Sequence, residues 1–68
     1  MSRVYLAYIP REDGTVPWNP SQAQTREDFR NDREALRWAA EKFGLRVVVS
    51  VGENPGDLLR GRGTLILG

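Results

Sequence analysis

The sequence segment with the clearest potential for binding chemistry is Arg60-Gly61-Arg62-Gly63. Its glycines let a ligand approach the backbone, and its guanidinium groups form paired hydrogen bonds with phosphate or carboxylate oxygens. Arg46 is a third candidate for the same site. The pattern makes this segment the best candidate in the chain for an anion-binding loop. A flexible turn that leads into a strand is the favoured interpretation, because Arg-Gly pairs also occur in such turns.

The residue types that most catalytic and metal sites need are absent from this chain of 68 residues, which contains no His and no Cys. A Ser-His-Asp triad, a thiolate nucleophile and the usual zinc ligands are therefore excluded. The adjacent carboxylates of Glu12 and Asp13 are typical of a solvated turn, and those of Glu27 and Asp28 of a helix N-terminus. We therefore predict a non-catalytic protein that binds no metal and no cofactor.

The charge balance gives a second exclusion. Ten Lys and Arg residues face nine Asp and Glu residues, for a net charge of +1. This balance argues against a dedicated nucleic-acid or membrane binder, which needs a strong positive field. No apolar run approaches the roughly 20 residues of a membrane span. Together with the absence of cysteine, this predicts a cytoplasmic protein.

Hydrophobic periodicity and turn residues divide the chain into the elements of one small domain. The predicted elements are a strand over 3–9, a long loop over 10–24, a helix over 25–43, a strand over 45–51, a turn-rich segment over 52–63 and a strand over 64–67.

The helix has signals at both ends. Thr25 is followed three residues later by Asp28, a variant of the capping box, and Gly44 is typical of the residue after a helix. A start at Pro20 is the alternative, because Asn19-Pro20 also resembles a cap. Helical spacing puts five apolar residues on one stripe: Phe29, Leu36, Ala39, Ala40 and Phe43.

The order strand, helix, strand, strand predicts an α/β (α+β) fold with a three-stranded mixed sheet. A right-handed crossover through the helix is expected to make the first two strands parallel, with the third antiparallel. One amphipathic helix then covers one face of the sheet. Tyr5, Ile9 and Val48 are expected on the other face, where either the loop over 10–24 or a second chain covers them.

Self-association follows from the small size of the domain. Chains this short have thin cores and usually gain stability from disulfides, a metal or a partner subunit, and only the last is open to this sequence. We therefore predict a homodimer, formed through the uncovered face of the sheet or through a free strand edge.

Two tryptophans are candidates for a contact surface. Trp38 is predicted on the helix face opposite the apolar stripe, and Trp18 lies in a loop between Pro17 and Pro20. Large rigid aromatic residues dominate the binding energy of many interfaces. The alternative is that the chain's own loop packs over Trp38.

These observations favour a small protein-interaction module that associates with itself and docks on another protein. Short domains of this kind are common among accessory proteins of bacteriophages and mobile elements, which is the origin we hypothesise. The alternative is a nucleic-acid or nucleotide-phosphate binder that uses the Arg60–Gly63 loop. The candidate interaction surface consists of Trp18, Trp38, Tyr5, Ile9 and Val48, and the candidate anion-binding residues are Arg60, Arg62 and Arg46.

Overall fold

A computed structural model describes residues 3–17 and 19–66 of the chain. Within these residues the elements are β1 (Val4–Tyr8), β2 (Ala23–Arg26), α1 (Asp32–Phe43), β3 (Val48–Gly52), α2 (Pro55–Leu59) and β4 (Thr64–Ile66). The predicted α+β class is confirmed, and the sheet has one strand more than expected. Neither helix of the described residues has the length and apolar composition needed to cross a bilayer.

The four strands form a sheet in the order β2-β1-β3-β4, and every neighbouring pair is antiparallel. The predicted parallel pairing of strands 3–9 and 45–51 was therefore wrong. Because β1 lies between β2 and β3 and is antiparallel to both, β2 and β3 run parallel to each other. The crossover through α1 thus begins at β2, a strand that the sequence analysis did not predict.

β2 accounts for the largest correction. Residues 23–26 were divided between the predicted loop and the predicted helix, but they pair with β1, where Tyr5 lies opposite Arg26 and Tyr8 opposite Ala23. The tetrapeptide Ala-Gln-Thr-Arg has little intrinsic β propensity. Pairing with β1 outweighs this low propensity, because β1 would otherwise leave one row of its backbone donors and acceptors without partners.

The helix begins at Asp32 rather than at Thr25. Its N-cap is Asn31, whose side-chain oxygen accepts a hydrogen bond of 3.0 Å from the backbone N–H of Glu34. The Glu34 carboxylate in turn accepts from the backbone N–H of Arg30 at 2.9 Å. Asn31 and Glu34 thus form a capping box variant that satisfies two backbone donors.

The predicted end of the helix is confirmed at Phe43. Gly44 follows with a φ of 90°, a conformation that L side chains rarely adopt, and its N–H donates to the carbonyl of Ala40 at 2.9 Å. The helix therefore spans 12 residues and presents one short apolar face to the sheet.

α1 covers the sheet face to which Tyr5 belongs. Small residues on the buried side of the helix let it approach the strands closely, and half-buried aromatic residues surround this contact. The fully buried members of this cluster are Tyr5, Ala7, Ala35, Ala39 and Val49.

The opposite face of the sheet is covered by the chain itself. Leu58 of α2 packs against Val4, Leu6 and Ala23, and Val16 of the long loop also lies against this cluster. The segment over 52–63 is therefore not a plain turn, because it contains α2. Asn54 caps α2 through the backbone N–H of Asp57 at 2.9 Å, with Pro55 in the first turn.

Candidate functional site

The edge of the sheet formed by β4 is an exposed apolar feature of the described residues. β4 pairs with β3 on one side only, so the backbone groups on its outer side have no strand partner in the described part of the chain. Leu65 lies at the middle of β4 and is 56% exposed. An exposed edge with an apolar side chain is a template for the addition of another strand.

A groove runs beside this edge, between α1 and β4, and we call it the α1–β4 groove. Its first half is lined by Asp32, Arg33, Leu36, Arg37, Val51, Thr64, Leu65 and Ile66. Its second half shares Leu36, Leu65 and Ile66 and adds Ala40, Leu45, Val47 and Val48. Leu45, at the far end, is 96% exposed. The groove is thus apolar along its floor and continuous with the β4 edge.

The charged side chains of the groove wall are mainly positive. Arg33 and Arg37 are exposed, and among residues 3–17 and 19–66 neither has a carboxylate within 4.0 Å. Asp32 is the acidic lining residue, but its Oδ1 already accepts a hydrogen bond of 2.7 Å from the Tyr5 hydroxyl. Arg3 Nη1 lies 3.5 Å from the same oxygen. The two groove arginines therefore remain available to an acidic ligand.

The bond from Tyr5 to Asp32 ties β1 to the first turn of α1. Burial raises the pKa of the Tyr5 phenol above 10.0, and the hydrogen bond to the Asp32 carboxylate raises it further. Folding stability from this contact is therefore present below pH 10 and is lost as the pH rises through the raised pKa. Tyr5 is 1% exposed, so it acts in the core and not on a surface.

The opposite edge of the sheet, formed by β2, is shielded by polar side chains. The Arg26 guanidinium lies over the rings of Phe29 and Trp38, at 4.8 and 5.6 Å from their centroids. Its Nε also donates to Asp28 Oδ1 at 2.8 Å, and this contact lowers the pKa of the Asp28 carboxyl. In the depression beside β2, Gln24 Nε2 donates to the carbonyl of Pro20 at 3.2 Å.

Trp38 lies in the core cluster, half-buried, rather than on an open helix face. Its ring centroid is 5.3 Å from that of Phe29 and 6.4 Å from that of Phe43. The prediction of its orientation was wrong because Phe29 was counted as a helical residue, and it precedes the N-cap Asn31. Without Phe29, the apolar face shifts toward Ala35 and Trp38. Trp18 lies outside the described residues.

The other predicted surface residues do not form one surface. Tyr5 pairs with Val51, and Val48 pairs with Tyr8, so the register places Tyr5 and Val48 on opposite faces of the sheet. Val48 is half-buried and Ile9, beyond the end of β1, is 36% exposed. Tyr5 lies under α1, and the face opposite α1 is covered by Leu58 of α2, which was not predicted as a packing helix, and by Val16 of the loop over 10–24.

The three candidate anion-binding arginines are exposed, but the structure places Arg46 apart from the other two. Arg60 ends α2, and Arg62 lies two residues before β4. Arg46 lies two residues before β3. Because β3 and β4 are antiparallel, Arg46 and Arg62 lie at opposite ends of this pair of strands. Arg46 is therefore not part of one site with Arg60 and Arg62.

Sequence reasoning predicted β4 as a strand but missed its role as a free edge. The available signal was the apolar run Leu65-Ile66 next to a glycine-rich segment, which indicates a strand without showing which neighbours it has. Within the described residues, no group of three acidic side chains is placed to hold a metal ion. The chain matches no protein-family model, no curated protein and no solved structure.

Proposed function

We propose that this chain is a small, non-catalytic protein-interaction module that binds a partner by strand addition at the β4 edge. The observation that carries the proposal is the exposed Leu65 on the edge strand β4, beside the apolar α1–β4 groove. Strand addition provides affinity through backbone hydrogen bonds and specificity through pockets for alternate side chains. The β4 edge offers the backbone hydrogen bonds, and the groove offers pockets for the side chains.

The alternative of a nucleic-acid or nucleotide-phosphate binder has weaker support. Phosphate recognition needs several cations that converge on one ligand. Arg46 lies at the opposite end of the β3–β4 pair from Arg62, which leaves only Arg60 and Arg62 in the candidate loop, and the net charge is only +1. The cytoplasmic location and the bacteriophage origin stay predictions.

The predicted homodimer stays a prediction, and it would be a competing form of strand addition at the same edge. In it, the added strand is β4 of a second copy, because both faces of the sheet are covered by the chain itself. Light scattering at micromolar concentration measures this directly, against the chain mass of 7.7 kDa. A mass that doubles with Leu65 intact and stays single in Leu65→Lys would support it.

Two matched variants test the proposed edge. Register places Thr25, Leu6, Ser50 and Leu65 in one row across the sheet, with Thr25 and Leu65 at its two exposed ends. Leu65→Lys puts a charge on the β4 edge, whereas Thr25→Lys makes the same change on the β2 edge. Both variants should fold, because both positions are exposed.

The measurement is retention of proteins from a host lysate on the immobilised chain and on both variants. We expect one protein that the wild-type chain and Thr25→Lys retain and that Leu65→Lys loses. Equal retention by all three proteins would contradict binding at the β4 edge.

A further inference from the structure

We infer that the strand accepted by the β4 edge is an acidic, extended segment of a different protein. The inference rests on the proposed function and adds the chemistry of the partner. It follows from the charges that surround the α1–β4 groove and from the space that the groove leaves open.

The charges along the groove wall are mainly positive. Arg33 and Arg37 lie one helical turn apart on α1 and both line the groove beside β4. The carboxylate of Asp32 is engaged by Tyr5 and Arg3, so it does not neutralise them. Guanidinium groups that have no carboxylate neighbour among the described residues are suited to paired hydrogen bonds with carboxylates of a ligand.

Arginines also mark both ends of the edge. Arg62 lies two residues before β4 begins, and Arg46 lies between Leu45 and Val47, which line the far end of the groove. Both side chains are exposed. A strand that lies along β4 therefore meets positive charge at each end and along the helix side. Such complementarity chiefly sets the choice of partner and the association rate.

A second copy of the chain fits this site less well. α1 packs on both β1 and β3, and neighbouring strands are about 4.8 Å apart, so pairing of two β4 strands would leave the two α1 helices roughly 19 Å apart. Packed helices lie about 8–10 Å apart, so a wide cleft would remain. Arg33 and Arg37 of both copies would line this shared cleft and repel one another.

A single added strand leaves no such cleft. Its side chains alternate between the two faces of the sheet, so acidic side chains on the α1 face come within reach of Arg33 and Arg37. The apolar side chains between them then lie on the other face, beside the exposed Leu65, which the register places in the row of Leu6 and Ser50. The expected partner segment thus alternates apolar and acidic residues.

The probes are blocked synthetic peptides of about seven residues, which is long enough to span a strand of ordinary length. One alternates Val and Glu, a second alternates Val and Lys, and a third is the Val/Glu peptide with every backbone nitrogen methylated, so that neither of its edges can donate hydrogen bonds. Binding to the full chain is followed by amide chemical shifts at millimolar peptide concentration. The methylated peptide keeps the charge but cannot pair fully with a strand edge.

We expect the Val/Glu peptide to shift the amides of residues 63–66 and to bind about tenfold more tightly than the Val/Lys peptide. Methylation should abolish binding. The double variant Arg33→Glu, Arg37→Glu should reverse the preference, and Arg11→Glu, in the exposed loop after β1, should leave it unchanged. Higher salt should weaken Val/Glu binding, because exposed charges are screened.

Three results would overturn the inference. Equal binding of the Val/Glu and Val/Lys peptides at β4 would contradict the acidic character of the partner but would still support strand addition at this edge. A dimer that neither peptide disperses and that Leu65→Lys abolishes would identify a second copy as the occupant, again with the proposed function intact. Failure of both peptides to bind a monomeric chain would count against the inference and against the proposed function together.

Discussion

At one edge of the sheet, Arg26 of β2 lies across Phe29 and Trp38 and pairs with Asp28. At the other edge, Leu65 of β4 is exposed beside an apolar groove. Both edges expose backbone groups, and proteins commonly protect such edges with charged side chains. β2 carries a charged residue within the strand, whereas the three described residues of β4 carry none and one of them is the exposed Leu65, which is why we assign the binding role to β4.

The contrast extends to what each edge contributes to folding. Residues next to β2 complete the aromatic cluster of Tyr5, Phe29, Trp38 and Phe43. Residues of β4 add only three described positions, none of them fully buried. The β2 side therefore contributes mainly to stability, and the β4 side is free to change with little effect on folding.

Trp38→Ala is expected to have the largest effect on stability. It removes a half-buried indole from between Phe29 and Phe43, so the free energy of unfolding should fall by about 2 kcal/mol. Leu65→Ala at the other edge should change it by about 0.5 kcal/mol or less. Chemical denaturation followed by circular dichroism compares the two. An equal loss in both variants would remove the distinction between the edges.

The cap of α1 gives the next largest effect and locates the boundary between β2 and the helix. Asn31→Ala removes the acceptor for the Glu34 N–H and should lower the free energy of unfolding by about 1 kcal/mol. Thr25→Ala should cost less than about 0.5 kcal/mol, because Thr25 is an exposed residue of β2. The reverse order in thermal melts would place the helix start at Thr25.

Thr25 and Leu65 lie at the two ends of one cross-strand row, so exchanging their residue types tests which edge causes aggregation. Leu65→Thr removes the exposed apolar side chain of β4 and should reduce aggregation during heating, with about 0.5 kcal/mol or less change in stability. Thr25→Leu is the reciprocal change, and we expect a smaller increase because Arg26 and Gln24 still protect β2. Turbidity at a fixed fraction unfolded is the measurement, and more aggregation in Leu65→Thr than in the wild type would contradict it.

The smallest effect concerns the ion pair that shields β2. The Arg26 guanidinium holds the pKa of Asp28 below 3.8, so stability from this contact is present above pH 3.8 and is lost as the pH falls through the lowered value. Titration of the Asp28 carboxyl by NMR should therefore give a value below 3.8 that rises in Arg26→Gln. A pKa that is unchanged by the substitution would show that Arg26 does not pair with Asp28 in solution.

The sequence analysis correctly predicted those elements whose structure is determined by residues close together in the sequence. The strand at the start of the chain, the end of α1 at Gly44 and the last strand all follow from short apolar runs and a single glycine. Arg46, Arg60 and Arg62 were proposed as one anion site, whereas Arg33 and Arg37, which line the groove, were not identified. Asn31 and Glu34 carried a cap signal that was present in the sequence and was passed over in favour of Thr25.

By itself, then, the sequence determined the α+β class and the absence of His and Cys, because these depend on residue types and local periodicity. Only the tertiary structure decided that residues 23–26 form a strand, since β1 supplies the hydrogen bonds that Ala-Gln-Thr-Arg does not favour on its own. The tertiary structure also decided the candidate site. Whether Leu65 is covered or exposed depends on which strand lies beside β4, and strand order is set by contacts between residues that are distant in sequence.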